Sequence, residues 1–136
     1  MTAKLFWEIG ATLQMLIGIA HFIGTYYTQL LHPKDNNLIE QMKNTILNVD
    51  NKATQWNAWI FFNLSFGICL FIVGFFSFVL AYQNFEIVSG FSFYSICILI
   101  CSCIIIYFAQ RFTIRKVRTA FLIITVFYII SILISQ

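Results

Sequence analysis

Four long apolar runs, Leu5 to Leu31, Gln55 to Tyr82, Ile87 to Gln110 and Val117 to Ile134, occupy most of this 136-residue chain and constrain it more than any other feature. A helix crosses a hydrocarbon core about 30 Å thick with about 20 predominantly apolar residues, and each run is long enough to do so. Hydrocarbon offers no water to satisfy a free backbone N–H or C=O, so spanning segments are helices or strands of a closed barrel. Barrel strands are short and alternate polar with apolar residues, a pattern absent here. The runs therefore predict an all-α fold, a four-transmembrane-helix up-and-down bundle forming a single integral membrane domain over residues 1–136. Composition agrees, with 60% hydrophobic residues, 10% charged and a mean hydropathy of +0.86. The first run carries Glu8 and Gln14 and is followed by no small-x-small cleavage site, so it is expected to be retained and not removed as a secretory signal.

Charge sets the expected orientation. Four spans put both termini and the Gln83 to Glu86 link on one side, and the Leu31 to Thr54 and Arg111 to Lys116 connections on the other. Lys34, Lys43, Lys52, Arg111, Arg115, Lys116 and Arg118 belong to the second group, against Lys4 alone in the first. The positive-inside rule then predicts connections facing the cytoplasm and both termini outside it. A net charge of +3 is too small to indicate a nucleic-acid partner, and none is expected. The cluster Arg111, Arg115, Lys116 and Arg118 has the chemistry to bind acidic lipid headgroups, although such clusters more often serve only as the topological signal.

The longest connection carries Asn37 and Glu40 in a capping arrangement, and Leu38, Ile39, Met42, Ile46 and Val49 at helical spacing. It reads as a short amphipathic interfacial helix, a connector more readily than a partner-docking element. Trp56 and Trp59 follow at the start of the second span, where indoles favour the headgroup level.

At about 100° per residue, Gly10, Gln14, Gly18, His21, Thr25 and Thr28 share one stripe of the first span. Trp56, Trp59, Asn63, Gly67, Gly74, Ser77 and Ala81 share one of the second. Small residues let helix backbones approach closely in lipid, so Gly18, Gly67, Gly74 and Ala81 are the expected packing positions, with the two stripes facing each other. On the third span, Ser92, Ser95, Ser102 and Ala109 offer a further small-residue face for a partner.

Counting inward from Leu31, Gln55, Gln110 and Val117 at about 1.5 Å per residue places His21, Asn63, Ser102 and Thr125 at one level, roughly 12–15 Å deep. With Gln14, nearer the other face, these form the candidate polar site. An intramembrane histidine is a functional candidate, because burying it without a partner is costly. The competing explanation is that neutral His21 bonds to Asn63 and locks the first two spans in register. Gln14 and Asn63 are amides, which commonly join helices and supply neither acid nor base. His32, beside Pro33, is expected to be solvated.

Cys69, Cys97, Cys101 and Cys103 lie within spans at spacings that match no metal motif, and are expected to be buried small apolar residues. No metal or cofactor is expected. His21 and His32, taken along one helix, would stand about 16 Å apart and could not both ligate one haem.

Gly18-Ile-Ala-His21, Trp56-Asn-Ala-Trp59 and Phe62-Asn63-Leu-Ser65 together resemble a family of small bacterial four-helix membrane proteins, broadly DoxX-like in size and layout. Some members carry a second histidine just after the Asn-x-Ser, where this chain has Phe66, so no two-histidine site is implied. The resemblance implies a bacterial cytoplasmic (inner) membrane as the location and implies no reaction.

Without a catalytic, nucleotide-binding or metal motif, the chain is expected to have no catalytic activity of its own. It reads as an accessory, scaffolding or assembly subunit of a membrane complex, in contact with membrane lipids and with another membrane protein or a second copy of itself. The alternative is a binder or carrier of a lipid-like or quinone-like molecule, held in a cavity around His21 and Asn63.

Overall fold

The computed structural model describes residues 1–136. The chain is mostly helical, in the order α1 (Thr2–Tyr26), α2 (Asn36–Asn44), β1 (Ile46–Leu47), β2 (Asp50–Thr54), α3 (Gln55–Gln83), a 3-10 turn (Phe85–Ile87), α4 (Phe93–Arg111) and α5 (Arg115–Ile134). Of these, α1, α3, α4 and α5 are long and apolar enough to cross a membrane. Their outward faces are apolar too, with Phe61, Phe62, Phe76, Ile100, Ile104 and Phe108 exposed. No more than 33% of the apolar window of any of the four is buried. A water-soluble bundle would hide such surface, whereas lipid solvates it, so the architecture fits a multi-pass membrane protein.

The residues fall into two compact units, one of Met1–Leu16 with Ile72–Gln136 and one of Ile17–Phe71. The first has a conventional packed core. α4 lies against α5, and Trp7, Ala11, Ala81, Phe121, Ile124 and Tyr128 are buried. The Trp7 ring lies 4.6 Å from that of Tyr128, and its indole N–H donates to the Ser77 carbonyl at 3.2 Å. Gly74 is required by backbone proximity, since a Cβ there would stand 2.8 Å from both the Ala11 carbonyl oxygen and the Met15 nitrogen.

This unit moves one expected boundary. The third span starts at Phe93, not Ile87, and the link before it is longer than four residues. The cause is capping: Asn84 accepts from the Glu86 N–H to start a 3-10 turn, Gly90 takes φ +53, and Ser92 accepts from the Ser95 N–H to begin α4. At its other end α4 closes with the Ile114 N–H on the Ala109 carbonyl (2.8 Å) and the Thr113 N–H on that of Gln110 (3.2 Å). That is a Schellman closure, with Thr113 at φ 60 in the place usually taken by glycine.

In the second unit, the first span ends at Tyr26 and not at Leu31, because the chain turns: Tyr27 and Thr28 both donate to the Ile23 carbonyl, and Leu31 donates to that of Gly24. The connector helix also differs from expectation. Asp35, not Asn37, is its N-cap, and Glu40 bonds Lys43 at 2.8 Å instead of reaching back to the cap. It stops at Asn44, so Ile46 and Val49 are not on it. They belong to a short antiparallel hairpin, with Ile46 paired to Thr54 and Leu47 to Asp50. Their spacing imitates a helical face, but Thr45 takes an extended conformation, and its carbonyl accepts from Gln55 at the start of α3. The fold is all-α apart from this hairpin.

Candidate functional site

Within the second unit, α1 and α3 meet at Gly18 and Gly67. A Cβ on Gly18 would stand 2.6 Å from the Phe71 nitrogen and 2.7 Å from the Gly67 carbonyl oxygen, so only glycine permits the crossing. One turn farther along α1, His21 Nε2 lies 3.1 Å from Asn63 Oδ1. An amide oxygen only accepts, so Nε2 carries the proton and donates. The Asn63 amide group donates in turn to the Trp59 carbonyl at 2.8 Å. Phe66 presents its ring edge-on to His21 at 5.1 Å. His21 Nδ1 makes no hydrogen bond within the chain. Because α1 stops at Tyr26, His21 lies five residues, roughly 7.5 Å, from the helix end, which is shallower than counting from Leu31 implied.

The other candidate polar residues lie in the first unit. Gln14 is buried, and its Oε1 accepts from the Tyr128 hydroxyl at 3.0 Å. Thr125 donates to the Phe121 carbonyl of its own helix at 2.7 Å, and Ser102 is buried on α4. Of the four residues expected at one depth and Gln14 nearer the other face, His21 and Asn63 are the two within hydrogen-bonding range of each other. Tyr128 was missed as a polar partner because it sits in an otherwise apolar run.

Of the packing positions, Gly18 and Gly67 oppose each other, Gly74 faces Ala11 and Met15, and Ala81 is buried. Gly10 instead faces the Tyr128 ring, so the first stripe divides between α3 and α5 and does not face α3 throughout. Ser95, Ser102 and Ala109 are buried inside the chain, so the small-residue face of α4 is taken up internally and is not free for a partner. Arg111, Arg115 and Lys116 are exposed, while Arg118 is half-buried and donates to Gln110 Oε1.

Two expectations are corrected outright. Cys69, Cys101 and Cys103 are exposed and Cys97 is half-buried, all as free thiols. Apolar residues of such helices suit an outward face as well as an inward one, so apolarity did not imply burial. His32 is half-buried and held by partners instead of being simply solvated, and it does not continue α1. Its ring packs edge-on against Trp56 and Trp59 at 5.1 and 5.5 Å, and its Nε2 donates to the Thr25 carbonyl at 3.0 Å. The two indoles stack on each other at 5.3 Å. The sequence signal for this cluster was the i, i+3 tryptophan pair together with a histidine just past the first span.

No family model, curated protein or solved structure matches the chain.

Proposed function

We propose that this is a multi-pass protein of a bacterial cytoplasmic membrane, serving as a non-catalytic accessory, scaffolding or assembly component. α1, α3, α4 and α5 form its up-and-down spans, and α2 lies at the interface. The observation that carries this reading is that polar side chains within the spans are engaged by partners inside the chain: His21 by Asn63, Gln14 by Tyr128, Ser77 by Tyr94 and Ser131 by the Ala3 carbonyl. Side chains used in this way fix helix register and are not arranged around an open reaction centre. The partner is another membrane protein or a second copy, in contact with the exposed aromatic and aliphatic faces.

The basic residues of the α1–α3 and α4–α5 connections face the cytoplasm and the termini lie outside. Lys4, the one cation on the terminal side, is tied back: its ammonium donates to the Tyr82 carbonyl at the end of α3 (3.0 Å) and lies 5.1 Å from the Tyr82 ring. A reporter at the C-terminus that is active in the cytoplasm contradicts this orientation.

Purification in mild detergent tests the role. A stoichiometric protein partner, or a defined oligomer of the chain, is the expected outcome. A second reading, a carrier of a lipid-like or quinone-like molecule, is favoured by an apolar recess of about 330 Å³ between Gly18, Ile19, Phe22, Gly67, Ile68 and Phe71. His21 with its unbonded Nδ1 lies in sequence between two of these residues but does not line the recess. A bound lipid or quinone lost in His21→Ala, with folding intact, would favour that reading.

A further inference from the structure

Beside the His32 cluster is a second, chemically different cavity of about 280 Å³ within the same unit, lined by Gln29, His32, Ile39, Glu40, Lys43 and Trp56, with Asn36 at its edge. We infer that this cavity binds the zwitterionic headgroup of an aminophospholipid, of the phosphoethanolamine type. The inference rests on the membrane placement proposed above and is independent of the scaffolding role.

Position is the first argument. Gln29 lies three residues past the end of α1 and Trp56 is the second residue of α3, so the cavity opens where two spanning helices leave the hydrocarbon. Trp56 and Trp59 stack there, and Tyr26 and Tyr27, two to three residues before Gln29, are exposed, which is the aromatic composition of a headgroup layer. Size is the second: the volume falls just below the range of drug-sized ligand sites, suited to a headgroup alone.

Charge complementarity selects the class. Glu40 and Lys43 stand three residues apart on α2 and are paired at 2.8 Å, with both side chains substantially exposed. A purely anionic headgroup would meet Glu40, and a purely cationic ligand would meet Lys43. A zwitterion satisfies both, its phosphate on the Lys43 ammonium and the amides of Gln29 and Asn36, its primary ammonium on the Glu40 carboxylate. Trp56 lines the same cavity, so its indole borders the headgroup. His32 completes the wall: Nε2 is engaged by the Thr25 carbonyl, and Nδ1 has no hydrogen bond within the chain. A quaternary choline group lacks the N–H donors that Glu40 would accept, so ethanolamine is preferred over choline.

The test reconstitutes the full chain in nanodiscs holding equal amounts of phosphatidylethanolamine, phosphatidylcholine and phosphatidylglycerol with identical acyl chains, and counts retained lipids by native mass spectrometry. One phosphatidylethanolamine per chain is expected to be retained in preference to the other two. Glu40→Lys, on a helix with no fully buried residue, is expected to lower that retention about two- to fivefold and to raise that of phosphatidylglycerol. Equal retention of the three lipids, or a preference unchanged by Glu40→Lys in a variant of unaltered circular dichroism, would overturn the inference. Equal displacement by free glycerophosphoethanolamine would overturn the lipid as the source of the zwitterion. Failure of the chain to float with liposomes would overturn the membrane placement instead.

Discussion

The two compact units use polar groups in opposite ways. In Met1–Leu16 with Ile72–Gln136, the polar side chains are buried with the aromatic core: Gln14, Ser77 and Ser131 are each less than 5% exposed, and they bond Tyr128, Tyr94 and the Ala3 carbonyl. In Ile17–Phe71 the corresponding groups, His21, Asn63 and His32, are only half-buried, and the close contact is made by glycine backbones. The first unit is held by side chains that fill space and complete hydrogen bonds. In the second the helices meet through glycine backbones, beside the His21–Asn63 bond and the His32–tryptophan cluster, whose polar groups are only half-buried. Burial and accessibility of these polar groups are thus divided between the two units.

The largest expected effect breaks the first unit. Trp7→Ala removes a fully buried indole, its contact with Tyr128 and its bond to Ser77, and should cost about 3–5 kcal/mol of stability in a detergent unfolding assay. A loss below 1 kcal/mol, roughly that of a surface change, would mean that this core is not the organising one. Next, Gly18→Ala attacks the second unit where space is absent. Its Cβ would push on the backbones of Phe71 and Gly67, and a destabilisation of about 1–3 kcal/mol is expected from the same assay. A neutral result would show that the helices can move apart at little cost.

Tyr128→Phe separates hydrogen bonding from packing in the first unit. It keeps the ring against Trp7 and leaves the buried Gln14 oxygen unpaired, for an expected loss of about 1–2 kcal/mol. His21→Ala should cost less, about 0.6 kcal/mol for the lost bond, since its environment is only half-buried. If His21→Ala proved the more damaging of the two, the contrast between the units would be reversed.

The four long apolar helices and the close crossing at Gly18 and Gly67 were legible because both depend on local chemistry: uncharged apolar length, and glycines at helical spacing. The pairing of His21 with Asn63 was legible for the same reason, since stripe phase and depth both pointed to it. What escaped depends on competition between signals. Ile46 and Val49 continue the spacing of Leu38, Ile39 and Met42, so nothing in periodicity reveals the extended backbone at Thr45 that starts the hairpin. Tyr27, Leu30 and Leu31 look like span residues, yet Gly24 and Ile23 carbonyls are already taken by a turn. Gln14 found Tyr128, more than 100 residues away in the chain, a choice set by tertiary packing and by no local pattern.

That polar groups inside the spans serve to join helices is tested most directly by a double-mutant cycle of His21→Ala and Asn63→Ala, read as unfolding free energy in one membrane mimetic. The expected coupling is about 0.6 kcal/mol, within a ceiling of about 1.7 kcal/mol for interhelical hydrogen bonds. Strictly additive single effects would contradict it, because they would show that His21 is not held by Asn63 and is free for another partner.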